Sequence, residues 1–173
     1  MLKIKFDRLD YQELAVNSIS DVFKNIAFKT NDNKKSNPSF NLESSKSILV
    51  NNITKVREIN KVDIGDISIK DELVIDTLME TGTGKTFTFL ESIYRLNRDY
   101  GLCKFIILVP SNPIRQGTIK NINITKEFFT KEYGKQISVY NYSEKTVLNY
   151  INASSQNISV LVSTYQSFNK ATN

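Results

Sequence analysis

The chain has 173 residues, of which 40% are hydrophobic and 24% are charged, and its formal net charge is +5. This length and composition predict one soluble globular domain, and no apolar run reaches the roughly 20 residues that a transmembrane helix needs. We therefore expect a cytoplasmic protein with no membrane segment. The excess of lysine favours a polyanionic partner such as nucleic acid, although lysine-rich sequences also arise from AT-rich genomes.

Histidine is absent from the sequence, and Cys103 is its only cysteine. These counts exclude Ser-His and Cys-His catalysis, histidine-ligated zinc and an internal disulfide. Because Cys103 adjoins the apolar run at residues 105–109, we expect it to be a buried hydrophobic side chain rather than a nucleophile. Any chemistry must then depend on lysines, carboxylates, hydroxyls and backbone amides.

The first predicted element is a helix over residues 11–27, for which Asp10 is the predicted cap. Its predicted apolar face comprises Leu14, Ala15, Ile19, Val22, Phe23 and Ile26. Residues 29–40 are polar and include Pro38, which predicts a loop or mobile insertion. A second helix is predicted over residues 45–60, and residues 61–71 are ambiguous. The apolar stripe of that second helix comprises Ile48, Leu49, Ile53, Val56 and Ile59.

From residue 72 onward, strands and helices alternate at the spacing of βαβ units. Strands are predicted over residues 72–79, 104–109, 136–141 and 158–163. Helices are predicted over residues 85–98, 114–130 and 143–151. This alternation predicts an α/β fold with a parallel sheet flanked by helices. Because the sequence stops soon after the fourth predicted strand, we expect the chain to be part of a longer polypeptide.

A glycine-rich segment, Met79-Glu-Thr-Gly-Thr-Gly-Lys-Thr86, lies between a predicted strand and a predicted helix. It fits the second half of the pattern Gly-x-x-x-x-Gly-Lys-[Ser/Thr], although Met79 stands at the first glycine position. Lys85 would bind the β- and γ-phosphates of ATP, and the Thr86 hydroxyl would ligate Mg²⁺. The backbone amides that would face the phosphates belong to Thr81, Gly82, Thr83, Gly84, Lys85 and Thr86. An ordinary strand-to-helix turn with accidental glycines is the alternative.

This segment resembles motif I of superfamily 2 helicases, which commonly lack the first glycine. Phe105-Ile-Ile-Leu-Val-Pro-Ser-Asn-Pro-Ile-Arg-Gln-Gly117 is similar to motif Ia of the restriction (Res) subunit of type III restriction-modification enzymes. Tyr11-Gln12 resembles the Tyr-Gln pair of an adenine-reading Q motif, and Val162-Ser-Thr-Tyr-Gln-Ser-Phe168 lies where motif Ib would fall. The resemblance implies a P-loop NTPase with a RecA-like sheet. Its parts would be a Q-motif-like helix (1–28), a polar insertion with a helix (29–71) and the P-loop core (72–173).

The resemblance also implies roles for individual residues. Gln12 would hydrogen-bond the adenine edge, with Tyr11 or Phe6 packing nearby, although a polar residue early on an amphipathic helix would also explain Gln12. The residues implied to hold the DNA backbone are Pro110, Ser111, Asn112 and Arg115 and, more weakly, Thr164 and Gln166. A plain strand-to-helix turn with a serine cap explains the same residues after the second strand.

The function implied by the resemblance is that of an ATP-dependent translocase or helicase module of a type III restriction endonuclease. Its partners would be double-stranded DNA, the modification (methyltransferase) subunit and the rest of the Res polypeptide. None of the acidic residues Glu80, Asp63, Asp66, Asp71 and Glu72 follows an apolar strand in the Asp-Glu-x-x form that orders Mg²⁺ and the attacking water, so we expect surface or capping carboxylates there. The family's acidic motif II is expected beyond Asn173, so the chain alone would hold ATP without hydrolysing it. Alternatives are another superfamily 2 helicase, a type I restriction motor, or a nucleotide- or partner-binding module without turnover.

Overall fold

The computed structural model of the chain describes residues 7–30 and 35–172, and residues 170–172 by their backbone alone. The described residues form two compact units. Unit 1 comprises residues 7–30 and 38–92, and unit 2 comprises residues 35–37 and 93–172. Each unit has its own core, and each is described separately below.

Unit 1 contains helices α1 (Asp10–Asp21) and α2 (Leu42–Ile59) and the first two turns of α3 (Lys85–Tyr100). The Asn41 side chain accepts a hydrogen bond from the Ser44 amide at 2.9 Å, which caps α2. Leu49 of α2 is fully buried in a core with Val22 and Ile26. Three aromatic rings, with centroids 5.2–6.1 Å apart, pack against this core: Phe23, Phe28 and Phe40.

The predicted bounds of the first two helices are partly wrong. Leu9, not Asp10, is the N-cap of α1, and the helix ends at Asp21 because the chain then turns, with Asn25 at a left-handed φ of 64°. Side-chain burial also differs, since Leu14 is exposed whereas Val16 and Ser20 are buried. Helix α2 begins three residues earlier than the predicted Ser45, because Asn41 supplies the cap. Two members of its predicted apolar stripe are exposed: Ile48 and Ile59.

The prediction of a buried strand over residues 72–79 is wrong. No part of this segment forms a strand, and Val74, Ile75 and Leu78 are exposed. Leu73 does pack against the core of unit 1. A strand is stabilised by ladder hydrogen bonds to a neighbouring strand, and none of residues 7–30 and 35–172 pairs with this segment in the structure. The apolar composition of residues 72–79 fits the pattern of a buried strand, but a pattern of this kind does not show whether a neighbouring strand is present.

Unit 2 contains the parallel sheet, which confirms the predicted α/β class. Its strands are β1 (Lys104–Val109), β2 (Ile137–Asn141) and β3 (Ile158–Thr164), in the spatial order β1-β3-β2. Both outer strands run parallel to β3, with Lys104 opposite Ser159 and Ile137 opposite Ile158. Every residue of β3 is buried, as expected for a central strand covered on both faces.

The helices of unit 2 are α4 (Asn112–Tyr133), α5 (Glu144–Asn152) and α6 (Tyr165–Thr172), together with the later part of α3. Helix α4 ends at Gly134, which has a left-handed φ of 66° and donates its amide to Thr130. Ser143 and Thr146 form a capping box at the start of α5. Helix α6 was not predicted from the sequence. Phe129 of α4 is fully buried, and its ring centroid lies 5.1 Å from that of Tyr94.

Asn37 binds the start of β1 through its side-chain amide. Its Oδ1 accepts hydrogen bonds from the amides of Cys103 and Lys104, each at 2.8 Å. Its Nδ2 donates to the Lys104 carbonyl, also at 2.8 Å. In unit 1, Lys29 and Ser39 form an isolated antiparallel bridge. The polar segment at residues 29–40 is thus a loop, as predicted, with hydrogen bonds at its described residues. Residues 31–34 of this segment are not among the described residues.

The buried state predicted for Cys103 is confirmed, because the residue is 1% exposed. Burial raises the pKa of its thiol, with a smaller opposing effect from Lys104. Over the described residues, no helix combines the length and the apolar character that crossing a bilayer would require.

We predict that Asn52→Ala lowers the stability of unit 1. The Asn52 amide is buried and donates to the carbonyls of Val22 and Lys24, at 3.1 and 2.7 Å, just after α1 ends. Because the substitution leaves these carbonyls without their donor, the free energy of unfolding should fall by about 1–3 kcal/mol. Urea denaturation followed by circular dichroism measures the change. Asn51→Ala, at an exposed neighbouring site, should change stability by less than about 0.5 kcal/mol, and equal losses would contradict the assignment.

Candidate functional site

The glycine-rich segment forms a tight exposed loop that ends where α3 begins, at Lys85. Gly82 and Gly84 both adopt left-handed φ values, 84° and 83°. Residues with a Cβ rarely adopt this conformation, so the loop needs glycine at these two positions. The first amides of an α-helix lack partners within the helix and carry a partial positive charge. A loop followed by such a helix start is suited to an anionic ligand.

Lys85 is exposed, and its ammonium group folds back over the loop. It donates to the carbonyls of Met79 and Glu80, at 2.9 and 3.0 Å. The Thr83 hydroxyl donates to the same Glu80 carbonyl at 2.7 Å. The ammonium group is thereby held beside the loop amides, where it can exchange carbonyl partners for phosphate oxygens. Thr81 and Gly82 are exposed beside it.

Thr86 lies in the first turn of α3 and is half-buried. Within residues 7–30 and 35–172 there is no cluster of three or more His, Cys, Asp or Glu side chains that could hold a metal by themselves. A single threonine hydroxyl next to a loop suited to an anion would fit Mg²⁺, which usually takes few protein ligands and completes its shell with phosphate oxygens and water. The donor set therefore fits Mg²⁺ bound together with a nucleotide.

Gln12 lies against the loop and is 7% exposed. Its Nε2 donates to the Thr83 carbonyl at 3.0 Å, and its Oε1 accepts from the Leu9 amide at 3.2 Å. The backbone of Gly84 lies in close contact with this side-chain amide: a Cβ at position 84 would be only 2.4 Å from Gln12 Nε2. The structure thus brings together two sites, Gln12 and the loop, that lie 71 residues apart in sequence. Tyr11 is exposed, and Phe6 lies outside the described residues.

A polar set of side chains lies at the carboxyl edge of the sheet in unit 2. Strands β1 and β3 end side by side, with Val109 opposite Thr164, and helices α4 and α6 begin just after them. Both helix N-termini therefore face the same edge, which is where ligands bind in open parallel sheets. Of the predicted residues, Pro110, Asn112 and Gln166 are exposed, and Ser111 and Arg115 are half-buried.

The side chains at this edge differ in the hydrogen bonds that they make within the protein. Ser111 is the N-cap of α4 by position, but its side chain makes no capping hydrogen bond. Arg115 Nε is buried and has no hydrogen-bond partner in the described part of the chain. Thr164 is 5% exposed, and its hydroxyl bonds to Ser167, accepting the Ser167 amide at 3.2 Å at the start of α6. The Ser111 hydroxyl is therefore not used as a cap and Arg115 Nε is left unsatisfied by the described residues, whereas the Thr164 hydroxyl caps the start of α6.

Two charged residues near the loop were not identified from the sequence. Arg8 and Glu91 form an ion pair in unit 1, and Glu91 is 2% exposed. Glu91 directly follows the buried Leu90 on α3, and a carboxylate on the buried face of a helix was the available signal. The acidic residues that the sequence did single out are exposed, as expected: Asp63, Asp66, Asp71, Glu72 and Glu80.

Comparison with known proteins gives consistent matches. The family model described as type III restriction enzyme, res subunit, matches residues 5–173. The chain is 34% identical to the type III restriction-modification enzyme EcoPI Res subunit of Escherichia phage P1 over 143 residues, which cover 76% of this chain and 14% of the relative. It is 33% identical to the EcoP15I Res subunit of Escherichia coli over 139 residues, with the same two coverages of 76% and 14%. The chain therefore spans about 14% of the length of these curated relatives.

We predict that Gly84→Ala destabilises unit 1 more than Gly82→Ala does. Both substitutions place a Cβ at a left-handed φ, which costs about 1–2 kcal/mol. Only the Cβ at position 84 meets a neighbour, Gln12, since nothing lies within 4 Å at position 82. Thermal or urea denaturation of both variants measures the difference. It should disappear in a Gln12→Ala background, and its persistence there would contradict the packing of Gln12 on Gly84.

Proposed function

Because the chain belongs to the family of type III restriction enzyme Res subunits, we propose that it is the ATP-binding part of a DNA motor. The observation that carries this proposal is the loop at residues 79–86, with its two left-handed glycines and the Lys85 ammonium at the start of α3. A loop of this form is suited to the triphosphate of a nucleotide.

Each part of the loop has a proposed task in binding ATP. The amides of residues 81–86 accommodate phosphate oxygens, and Lys85 leaves the carbonyls of Met79 and Glu80 to bind the β- and γ-phosphates. The Thr86 hydroxyl would hold Mg²⁺, which when bound neutralises charge on the phosphates. An ammonium already held beside the loop needs little reorganisation to reach a bound phosphate.

We propose that Gln12 also contacts adenine. A glutamine amide has two N–H donors and a carbonyl oxygen with two lone pairs. The bonds to Thr83 and Leu9 use one donor and one lone pair, which leaves one of each for the adenine edge. Tyr11 is the neighbouring exposed ring that would pack against the base.

The proposed DNA contact lies at the carboxyl edge of the sheet in unit 2. Ser111, Asn112 and Arg115 supply a hydroxyl, an amide and a guanidinium beside the N-terminus of α4, and Pro110 shapes the turn. These groups bind phosphate oxygens without reading base sequence. Thr164 would contribute mainly by fixing the start of α6 at the same edge.

For the whole protein, we propose ATP-dependent cleavage of double-stranded DNA as the restriction subunit of a type III enzyme. This proposal extends the identity of the relatives as type III Res subunits to this chain, which spans about 14% of their length. Its proposed partners are a modification subunit and the remainder of the Res polypeptide, and its proposed location is the cytoplasm, where the DNA is accessible.

We predict that Lys85→Ala weakens the binding of MgATP to the chain by about 10- to 100-fold, the usual effect of losing a charge-assisted contact. Isothermal titration calorimetry measures the dissociation constant. The matched control is Lys55→Ala, which removes an exposed lysine of α2 in the same unit and should leave binding unchanged. Unchanged affinity in Lys85→Ala would overturn the assignment of the phosphate site.

We predict that Arg115→Ala weakens binding to double-stranded DNA by about five- to tenfold and reduces the salt dependence of log Kd by about one unit. The loss should be the same for unrelated DNA sequences, because phosphate contacts do not read bases. Fluorescence anisotropy at several salt concentrations provides both quantities. Lys120→Ala removes an exposed charge further along α4 and is the control. If both variants lost affinity equally, net charge rather than a site at the sheet edge would explain the binding.

A further inference from the structure

The ion pair between Arg8 and Glu91 is bidentate. Arg8 Nε lies 3.1 Å from Glu91 Oε2, and Arg8 Nη2 lies 2.5 Å from Glu91 Oε1. The Glu91 side chain is 3% exposed, whereas that of Arg8 is 25% exposed. Two parallel N–H···O contacts fix the guanidinium plane as well as its distance, so the pair defines the position of the chain at residue 8.

The burial of Glu91 explains why this position is strongly determined. A carboxylate removed from water is unfavourable unless it is paired and hydrogen-bonded. Replacing both members of such a pair is often tolerated, whereas removing one member leaves an uncompensated buried charge. The main consequence of the pair is therefore geometric: it ties the segment before α1 to α3, six residues after Lys85 on that helix.

Arg8 lies directly before the turn that carries Gln12. Leu9 is the N-cap of α1. Its carbonyl accepts a hydrogen bond from the backbone N–H of Gln12 at 2.9 Å, and its own backbone N–H donates to the side-chain Oε1 of Gln12 at 3.2 Å. Once residue 8 is fixed on α3, this hydrogen-bonded turn fixes the Gln12 side chain. Gln12 Nε2 then reaches the Thr83 carbonyl.

The bond to Thr83 determines the orientation of one peptide group in the phosphate loop. In a planar trans peptide, the carbonyl of Thr83 and the N–H of Gly84 point in opposite directions. Holding the carbonyl on Gln12 therefore directs the Gly84 N–H away from Gln12. Because Gly82 and Gly84 carry no Cβ, this part of the loop has little intrinsic stiffness, and an external hydrogen bond has a large influence on it.

We propose that Arg8 and Glu91 are positioning residues for phosphate binding. By locating Gln12, the pair holds the Thr83–Gly84 peptide in the orientation in which its N–H serves the phosphates. This inference rests on the proposed function, in which the loop binds the triphosphate of ATP. It gives Gln12 a task that does not depend on the base.

The test compares MgATP with magnesium tripolyphosphate, a ligand that has no adenine. In Arg8→Gln, calorimetry should show both ligands bound about tenfold more weakly, by the same factor, because the change affects the phosphate loop. The double variant Arg8→Gln/Glu91→Gln replaces both members of the ion pair, a change that is often tolerated, and should remain folded, with the same loss of affinity. Arg95→Gln is the control, since it breaks the Arg95–Asp99 ion pair on the same helix and should change neither affinity.

Coupling to Gln12 separates positioning from a purely structural role. Gln12→Ala should weaken tripolyphosphate binding, and adding Arg8→Gln in that background should produce no further loss. Additive losses, unchanged affinities in the folded Arg8→Gln/Glu91→Gln variant, or a loss for ATP without one for tripolyphosphate would each overturn the inference. Failure of the proposed function is a different result, in which Lys85→Ala retains its affinity for both ligands.

Discussion

The loop at residues 79–86 can turn as it does only because two of its residues adopt a left-handed backbone. Gly82 and Gly84 meet this requirement, and their missing side chains also let Gln12 approach the backbone directly. The same absence of a Cβ makes the loop compliant. Three groups outside this pair of glycines restrain it: the Lys85 ammonium, the Thr83 hydroxyl and the Gln12 amide. The shape of the loop therefore depends on hydrogen bonds from its surroundings as much as on its own sequence.

A different constraint organises unit 2. Parallel strands end at one edge, and each following helix must begin there, so the polar ends of α4 and α6 face the same side as the carboxyl ends of β1 and β3. Apart from Pro110, the predicted contact residues at that edge have polar side chains, and Arg115 adds a positive charge. The Thr164 hydroxyl accepts a hydrogen bond from the Ser167 amide at the start of α6. The Ser111 side chain makes no such capping bond, and Arg115 Nε has no hydrogen-bond partner among the described residues.

Local patterns predicted the parts of the fold that local interactions determine. The apolar runs gave β1, β2 and β3 to within about one residue, and Gly82, Gly84 and Lys85 were identified from their spacing alone. Two of the failures involve partners that are distant in sequence. Residues 72–79 have the apolar pattern of a strand, but no described residue pairs with them. Just after α1 ends, the Val22 carbonyl accepts a hydrogen bond from the side chain of Asn52, which lies 30 residues further along the chain.

In the candidate site too, features set by neighbouring residues were predictable, whereas contacts between distant residues were not. The loop was recognisable because its members are contiguous, whereas Arg8 and Glu91 are 83 residues apart, and nothing in the sequence pairs one with the other. The prediction of Gln12 as a site residue rests on a resemblance to an adenine-reading motif. The structure adds its contact with Thr83, which no periodicity could reveal. Its contact with the base, like the roles of Thr86 and of the residues at the sheet edge, stays a prediction.

Asn37 has a consequence for association between molecules. In a β-strand the N–H and C=O of one residue point to the same side, and those of Lys104 point away from β3 and are both bound by the Asn37 amide. One side chain thus imitates a residue of a neighbouring strand. Outer strands with open backbone groups are templates for unwanted pairing and aggregation. By occupying the first outward-facing position of β1, Asn37 protects that end of the strand, so another strand could pair only further along, beside Ile106 and Leu108.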